Sequence, residues 1–402
     1  MNEISEIVTK RTDSEKAQEL RKEASTPVSS STTLADRLSI IADEIVRNGK
    51  LADTTDQFAQ DNYRLLKEHR IFSAMVPHEL GGEEHSFTEM ADLLRRLAHL
   101  HPSTALSCSM HQHIVAASRY NHINGRPGKA LLGQVAANEL KLVSTGAGDW
   151  LASNGEMKRT EGGFLFTATK HFASGSPAGD LLVTSGPFEE EAQGWQVLHF
   201  AVPLQSEGVT VLDNWAPMGM RGTGSNSVRL ENVFVPDTSV TVRRPRGDYH
   251  TMWSVILPVA LPLIMSVYRG IAEAAAEKAR VHCATSRDPV TPYLIGEMEN
   301  ALTTAQVVVD DMIRIADELR FEASLGLTNE VLKRKTIAAA ACKETAAKAV
   351  EACGGPGYLR AAGIESLLRD VMAAHFHPLQ EKRQHLFSGS IAMGKEPPSQ
   401  AF

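Results

Sequence analysis

Apolar residues recur at helical spacing near the start of the chain. Leu34, Leu38, Ile41 and Ile45 fall on one face, with Thr33 placed to cap it. The same periodicity predicts helices over 54–69, 87–101, 103–120 and 128–139, and Pro and Gly punctuation marks 71–86 as a connection. At about Lys141 the texture changes to short runs rich in Val, Thr and Phe, separated by Gly, Asn and Pro. Six or seven strands at this spacing predict a sandwich or barrel over 141–245. After Tyr249 long, Ala-rich, nearly all-apolar helices are expected over 256–284, 293–320 and 329–355. Such helices need partners all round, which points to a helix bundle and to subunit packing. The expected fold class is α+β multidomain: a flexible tail at 1–32, an N-terminal α-helical domain at 33–140, a central β domain at 141–245 and a C-terminal helical bundle at 246–402.

Composition narrows the function. The 402 residues carry a net charge of −7, so no electrostatic footprint for nucleic acid or an anionic membrane is expected. No long uninterrupted apolar run and no signal-like N-terminus is seen, and the expected location is cytoplasmic. Cys108, Cys283, Cys342 and Cys353 lack CxxC spacing, so neither a disulfide framework nor a zinc site is expected.

Two stretches carry candidate chemistry. Gly354, Gly355 and Gly357 follow the last Ala-rich helix; bare backbone of this kind suits a phosphate cradle, though on the stretch alone a helix C-cap is the better reading. Downstream, HFHPLQEKRQH (375–385) clusters imidazoles, and SMHQHIV (109–115) holds two more. The spacing lacks helical ligand geometry and acidic helpers, so no metal is expected.

Four segments in order resemble the acyl-CoA dehydrogenase superfamily: VSTGAGD (143–149), TATKHFASGSPAGDLLVTSG (167–186), WAPMGMRGTGSNSVRLENVFVP (215–236) and GGPGYLRAAGIESLLRD (354–370). The resemblance implies an α domain, a β domain and a four-helix bundle, with a flavin between the last two and a homotetramer or homodimer. It implies that Ser144, Thr145, Phe172, Ala173, Ser174, Gly354, Gly355 and Gly357 bind cofactor, with FAD the first expectation and FMN the alternative. Arg221, His111 and His113 would lie on the substrate side.

Two departures from that family bear on the reaction. The Arg-x-x-Phe-Gly motif that contacts a dinucleotide pyrophosphate is missing; the region reads RVHCATSRDPVTPYLIGEME. The usual catalytic Glu, eight residues after the Arg-Asp pair, is replaced by Pro378, and the first bundle helix starts without a carboxylate. His375, His377 or Glu381 is left as the candidate base. The first expectation is a flavin enzyme oxidising an acyl-CoA-like thioester and passing electrons to an electron-transfer flavoprotein. The alternative is a two-component flavin monooxygenase, fed by a flavin reductase and acting on an aromatic or sulfur-containing substrate. A third reading is a non-catalytic oligomeric relative.

Overall fold

The computed structural model describes residues 32–145 and 151–401, so the expected tail at 1–32 lies almost wholly outside the described residues, as does part of the 143–149 turn. Helix α1 (Leu34–Thr55) starts at Thr33, whose side chain accepts from the Asp36 N–H while Asp36 reciprocates, a full capping box. It runs to Thr55, past residue 54 where the next helix was expected to start, and the Thr54 and Thr55 hydroxyls bond back to the Lys50 and Leu51 carbonyls within it. The next helix, expected from 54, therefore begins late, as α2 (Gln60–Glu68), after Asp56 turns the chain left-handed. Helices α3 (Phe87–Leu100), α4 (Pro102–Ile123) and α5 (Lys129–Asn138) complete the first third.

Eight described strands follow: β1 (Leu142–Ser144), β2 (Glu156–Thr160), β3 (Gly163–Ala173), β4 (Leu181–Glu190), β5 (Gly194–Pro203), β6 (Val209–Val211), β7 (Asn226–Pro236) and β8 (Val242–Pro245). They form two four-stranded sheets, ordered β1-β4-β5-β8 and β2-β3-β7-β6. Alternate residues such as Phe164, Phe166, Leu182, Phe200, Val228 and Val235 fill the core between them.

The last third contains α6 (Trp253–Cys283), α7 (Thr291–Ala316), α8 (Leu325–Cys353), α9 (Glu365–Val371) and α10 (Glu381–Ala392). Helix α6 has the length and mean hydropathy, 1.8, of a membrane span, but 89% of that apolar window is buried inside the protein. Its partners are α8, α7, α3 and α4, so the two helical regions, far apart in sequence, share one hydrophobic core. Backbones meet closely there: a Cβ at Gly270 would overlap the Arg95 carbonyl on α3.

Two carboxylates tie this shared core together. Glu318, just beyond α7, accepts from the first N–H groups of α3, at Phe87 (2.7 Å) and Thr88 (3.1 Å). Glu273 on α6 accepts from Arg95 (2.8 Å), Arg269 (2.8 Å), His99 (3.2 Å) and Gln306 (3.1 Å). Burial pushes the Glu273 carboxyl up, but these bonds outweigh it and hold the group well below the usual carboxylate range. A depressed pKa contributes stability that is present above the unfolded value and lost as the pH falls. Glu273→Gln is expected to lower the unfolding free energy by about 2 kcal/mol at neutral pH and to flatten the acid limb of the stability curve. Urea titrations of both proteins at several pH values measure this; parallel acid limbs would contradict it.

Candidate active site

The end of β3 carries a built turn. Phe172 has a left-handed backbone (φ 59°) that turns its ring outward, and the side chain is 58% exposed, unusual for a large apolar ring. It meets Trp215 edge-on, with centroids 6.4 Å apart. Together with His171, Asn214, Ser225 and Ser227 the two rings line an open hollow of about 280 Å³. The opposite wall is held in place by Asn226, whose side-chain oxygen accepts from the backbone N–H groups of Asn214 (3.0 Å) and Trp215 (2.9 Å).

Below this turn Ala173 and Ser174 are buried. A hydroxyl chain runs from Ser174 to Ser225 (2.8 Å) to Thr223 (2.8 Å), and Thr223 donates to the Met220 carbonyl (2.9 Å). With the Thr223 proton spent on Met220, each hydroxyl donates to the next, and Ser174 Oγ keeps acceptor capacity of its own. Gly175 (φ 72°) donates its N–H to the Thr223 carbonyl at 2.7 Å, closing the turn against the neighbouring loop.

Lys141 holds the same turn from beneath. Its side chain is enclosed, and Nζ donates to the Gly175 carbonyl (3.0 Å) and more weakly to that of Ser174 (3.4 Å), over the Tyr63 ring. Burial pushes the ammonium down to about 7. On β1, Ser144 is half-buried, and Thr145 is buried with its hydroxyl 2.8 Å from that of Thr184.

The imidazoles divide into groups. His111 lies in the core. Its Nδ1 accepts from the Leu142 N–H (2.9 Å) and its Nε2 faces the Phe72 carbonyl (2.9 Å), so both ring nitrogens are committed to backbone and the expected substrate role is corrected to a structural one. His113, two positions on, points elsewhere and is half-buried; burial pushes it down to about 4. His375 receives the Lys343 ammonium on its ring and shares a small crevice with Lys335, Thr336, Lys343 and Glu381. His377 lies 2.6 Å by Nε2 from the Tyr268 hydroxyl, and Lys335 Nζ grips the carbonyls of His377 (2.8 Å) and Leu379 (3.0 Å). Burial, with Lys335 and His113 adding, pushes His377 down to about 3.

The other candidates are less enclosed. Glu381 pairs with Lys382 (2.9 Å), which holds its carboxyl below the usual range, so it makes a weak base. Arg221 is tied to Asp56 at 2.7 Å, linking the 215–224 loop to the end of α1. Gly354 (φ 59°) caps α8 by its N–H to Glu351, and Gly357 donates to Gly354; Gly354 and Gly355 are exposed. None of the three glycines lines the Phe172 hollow. Sequence reasoning missed Lys141, Tyr268 and Lys335, and used Asp370 only as a landmark for counting. Asp370 is buried and accepts from the Met220 N–H, joining the 215–224 loop to α9.

The chain matches the family descriptions "Acyl-CoA dehydrogenase, N-terminal domain" over 34–137 and "Acyl-CoA dehydrogenase, C-terminal domain" over 263–381. It is 25% identical to a pigment production hydroxylase of Rhodococcus sp. (strain ATCC 21145), covering 86% of this chain and 92% of that one. It is 26% identical to the dibenzothiophene monooxygenase of Rhodococcus erythropolis over 56% of each chain. Against the p-hydroxyphenylacetate 3-hydroxylase oxygenase component of Acinetobacter baumannii the identity is 22%, over 93% and 92% of the two chains. The fold is shared with KijD3, solved with FMN and a dTDP-linked amino sugar: TM-score 0.83, 21% identity, 94% of this chain and 98% of that one. The three relatives found by sequence are hydroxylases and monooxygenases, which overturns the expectation of acyl-CoA oxidation. The structure gives the physical reason: no sheltered carboxylate stands in the 371–381 segment, where Glu381 keeps its charge at the surface beside Lys382.

Two tests follow from the geometry. A Cβ at Gly175 would overlap both Lys141 Nζ and Ser107 Oγ at a backbone angle side chains rarely adopt. Gly175→Ala is therefore expected to weaken cofactor binding about tenfold or more, read by fluorescence titration; unchanged affinity would remove the turn from the site. Burial lifts the Asp370 carboxyl to about 7. Stability from a raised carboxyl is full below the unfolded value, about 4, and is lost as the pH rises through the folded one. The melting temperature of Asp370→Asn should gain on that of the parent between about pH 5 and about pH 8; a constant difference would show that Asp370 is ionised throughout.

Proposed function

The chain belongs to the acyl-CoA dehydrogenase superfamily, and on that premise we propose that it is a flavin-dependent monooxygenase. It takes reduced FMN from a separate flavin reductase and places one oxygen atom of O2 on an aromatic or sulfur-containing small molecule. The balance is substrate–H plus O2 plus reduced FMN giving substrate–OH, water and oxidised FMN; a sulfur substrate gains the oxygen on sulfur. The observation that carries this reading is the 371–381 segment, which presents two imidazoles, His377 against the Tyr268 hydroxyl and half-buried His375 against Lys343, where thioester dehydrogenation requires a sheltered carboxylate. The full-length similarity to an oxygenase component and a hydroxylase supports it.

The Phe172 hollow suits a flat tricyclic ring: an exposed aromatic without a full partner, a second aromatic edge-on to it, and hydroxyl groups on the rim. Phe172, Ala173 and Ser174 are assigned to the ring, with Ser144 and Thr145 beside it. Ser174 Oγ, left with acceptor capacity, suits the N–H groups that a flavin gains on reduction. When bound, the flavin supplies the two electrons that O2 requires. FMN replaces FAD as the assigned cofactor; the missing Arg-x-x-Phe-Gly motif and the FMN in KijD3 support this. Gly354, Gly355 and Gly357 are retained as candidate phosphate contacts through Gly355, whose position is open to solvent. The side chains of Tyr293, Val307, Ile337, Tyr358 and Phe376, large and exposed on the bundle, support a homodimer or homotetramer.

The expected result is oxygen consumption and product only when a reductase and FMN are supplied, with one atom of 18O from 18O2 in the product of a probe such as dibenzothiophene, indole or a phenol. Reduction of a dye by acyl-CoA without a reductase would defeat the proposal. His375→Ala and His377→Ala are each expected to lower product formation at least a hundredfold with FMN affinity kept; full activity in both would remove the imidazoles from the reaction.

A further inference from the structure

His377 was expected to serve as a base. Its surroundings give the ring a different task. Tyr268 lies on α6, wholly enclosed, and its Oη is 2.6 Å from His377 Nε2. Among the described residues that ring nitrogen is the hydroxyl's one hydrogen-bond neighbour. An enclosed phenol donates its proton when an acceptor is in reach, because an unspent O–H in a dry interior costs the full desolvation of the group. Nε2 therefore accepts. A neutral imidazole carries one ring proton, so that proton sits on Nδ1, which no described residue engages.

We propose that Tyr268 is a positioning residue that holds His377 as the Nδ1–H tautomer, so that the ring offers the reaction a hydrogen-bond donor rather than a base. This rests on the oxygenase reading above. The groups packed around the pair fit this assignment. Lys335 from α8 places a cation beside the ring and grips the backbone carbonyls on either side of Pro378, so the ring stays neutral and in place. His113 from α4 adds to the same effect, and burial pushes His377 down to about 3. Around the phenol, Asp370 and Cys342 oppose its ionisation, and burial raises it well above its ordinary value. Neither partner changes charge between about pH 5 and about pH 8. The ligand chemistry that such a donor recognises is a lone pair on the atom being oxygenated or next to it, as in a phenolate oxygen or an aromatic sulfur. A substrate lacking any acceptor there leaves the donor unpaired and is disfavoured.

The experiment is a nitrogen-15 correlation spectrum of the full-length protein labelled in histidine, with His377 assigned by the signal lost in His377→Gln. The expected result is the Nδ1–H pattern without titration between about pH 5 and about pH 8. In Tyr268→Phe the signal should move toward the Nε2–H form, the tautomer a free imidazole favours. Product per reduced FMN should fall about tenfold, the remainder appearing as hydrogen peroxide, with FMN affinity unchanged. An Nε2–H or doubly protonated ring in the parent protein, or a Tyr268→Phe spectrum identical to the parent, overturns the tautomer assignment; the parent spectrum decides even if the variant does not fold. If the spectra behave as expected but product yield is unaltered, the tautomer assignment stands, and the role of His377 in oxygenation falls.

Discussion

The buried amine of Lys141, which among the described residues has no carboxylate at hydrogen-bond distance, underlies the candidate site. Lys141 enters from the junction between the first helical region and the sheets and spends its protons on the carbonyls of Gly175 and Ser174. Asp180, whose charge reaches the amine only through space, accepts from the backbone N–H of Lys141 itself (2.7 Å). A charge enclosed in this way is costly, which is why burial pushes the group down to about 7, and the two oxygen acceptors of the turn and the Tyr63 ring alongside offset part of that cost. The proposed cofactor side depends on that turn: the outward ring of Phe172, the hydroxyl of Ser174 and the hollow shared with Trp215.

The imidazole side uses the same economy of means. His377 is kept neutral by burial and by a lysine that has its own backbone duties, and a phenol from the central helix meets its far nitrogen. The proposed oxygen transfer would benefit from such a region. Bulk water would compete for every hydrogen bond and would divert activated oxygen to peroxide, so a desolvated donor of fixed orientation is worth more than a mobile charged one.

Much of the fold was legible in local pattern. The Thr33 cap, the strand-rich middle and the long Ala-rich helices are encoded over a few turns each, and they appear where periodicity put them, within a few residues. The boundary near residue 55 was missed because α1 stops only where Asp56 turns left-handed, a conformation that an Asp does not announce in the sequence. The site was half legible. The residues around Phe172 and Ser174 came from family-like segments. Lys141 and Lys335 were not singled out and Asp370 served only as a landmark, because burial is a property of the assembled chain. His111 and His113 looked alike in sequence, yet two positions along a helix face different directions, and one of them is spent on the backbone of Phe72 and Leu142.

Glu318 closes the first turn of α3 across a separation of 231 residues to Phe87. A newly made N-terminal third therefore lacks both its terminating anion and the α6 face that completes its core until the chain has passed the sheets and reached the second bundle helix. During synthesis the sandwich, whose strands are contiguous and whose core is its own, can close first, while the early helices wait as a loosely packed layer. The order of assembly is then middle before ends, and truncations after the last strand would leave the opening helices without a folded home.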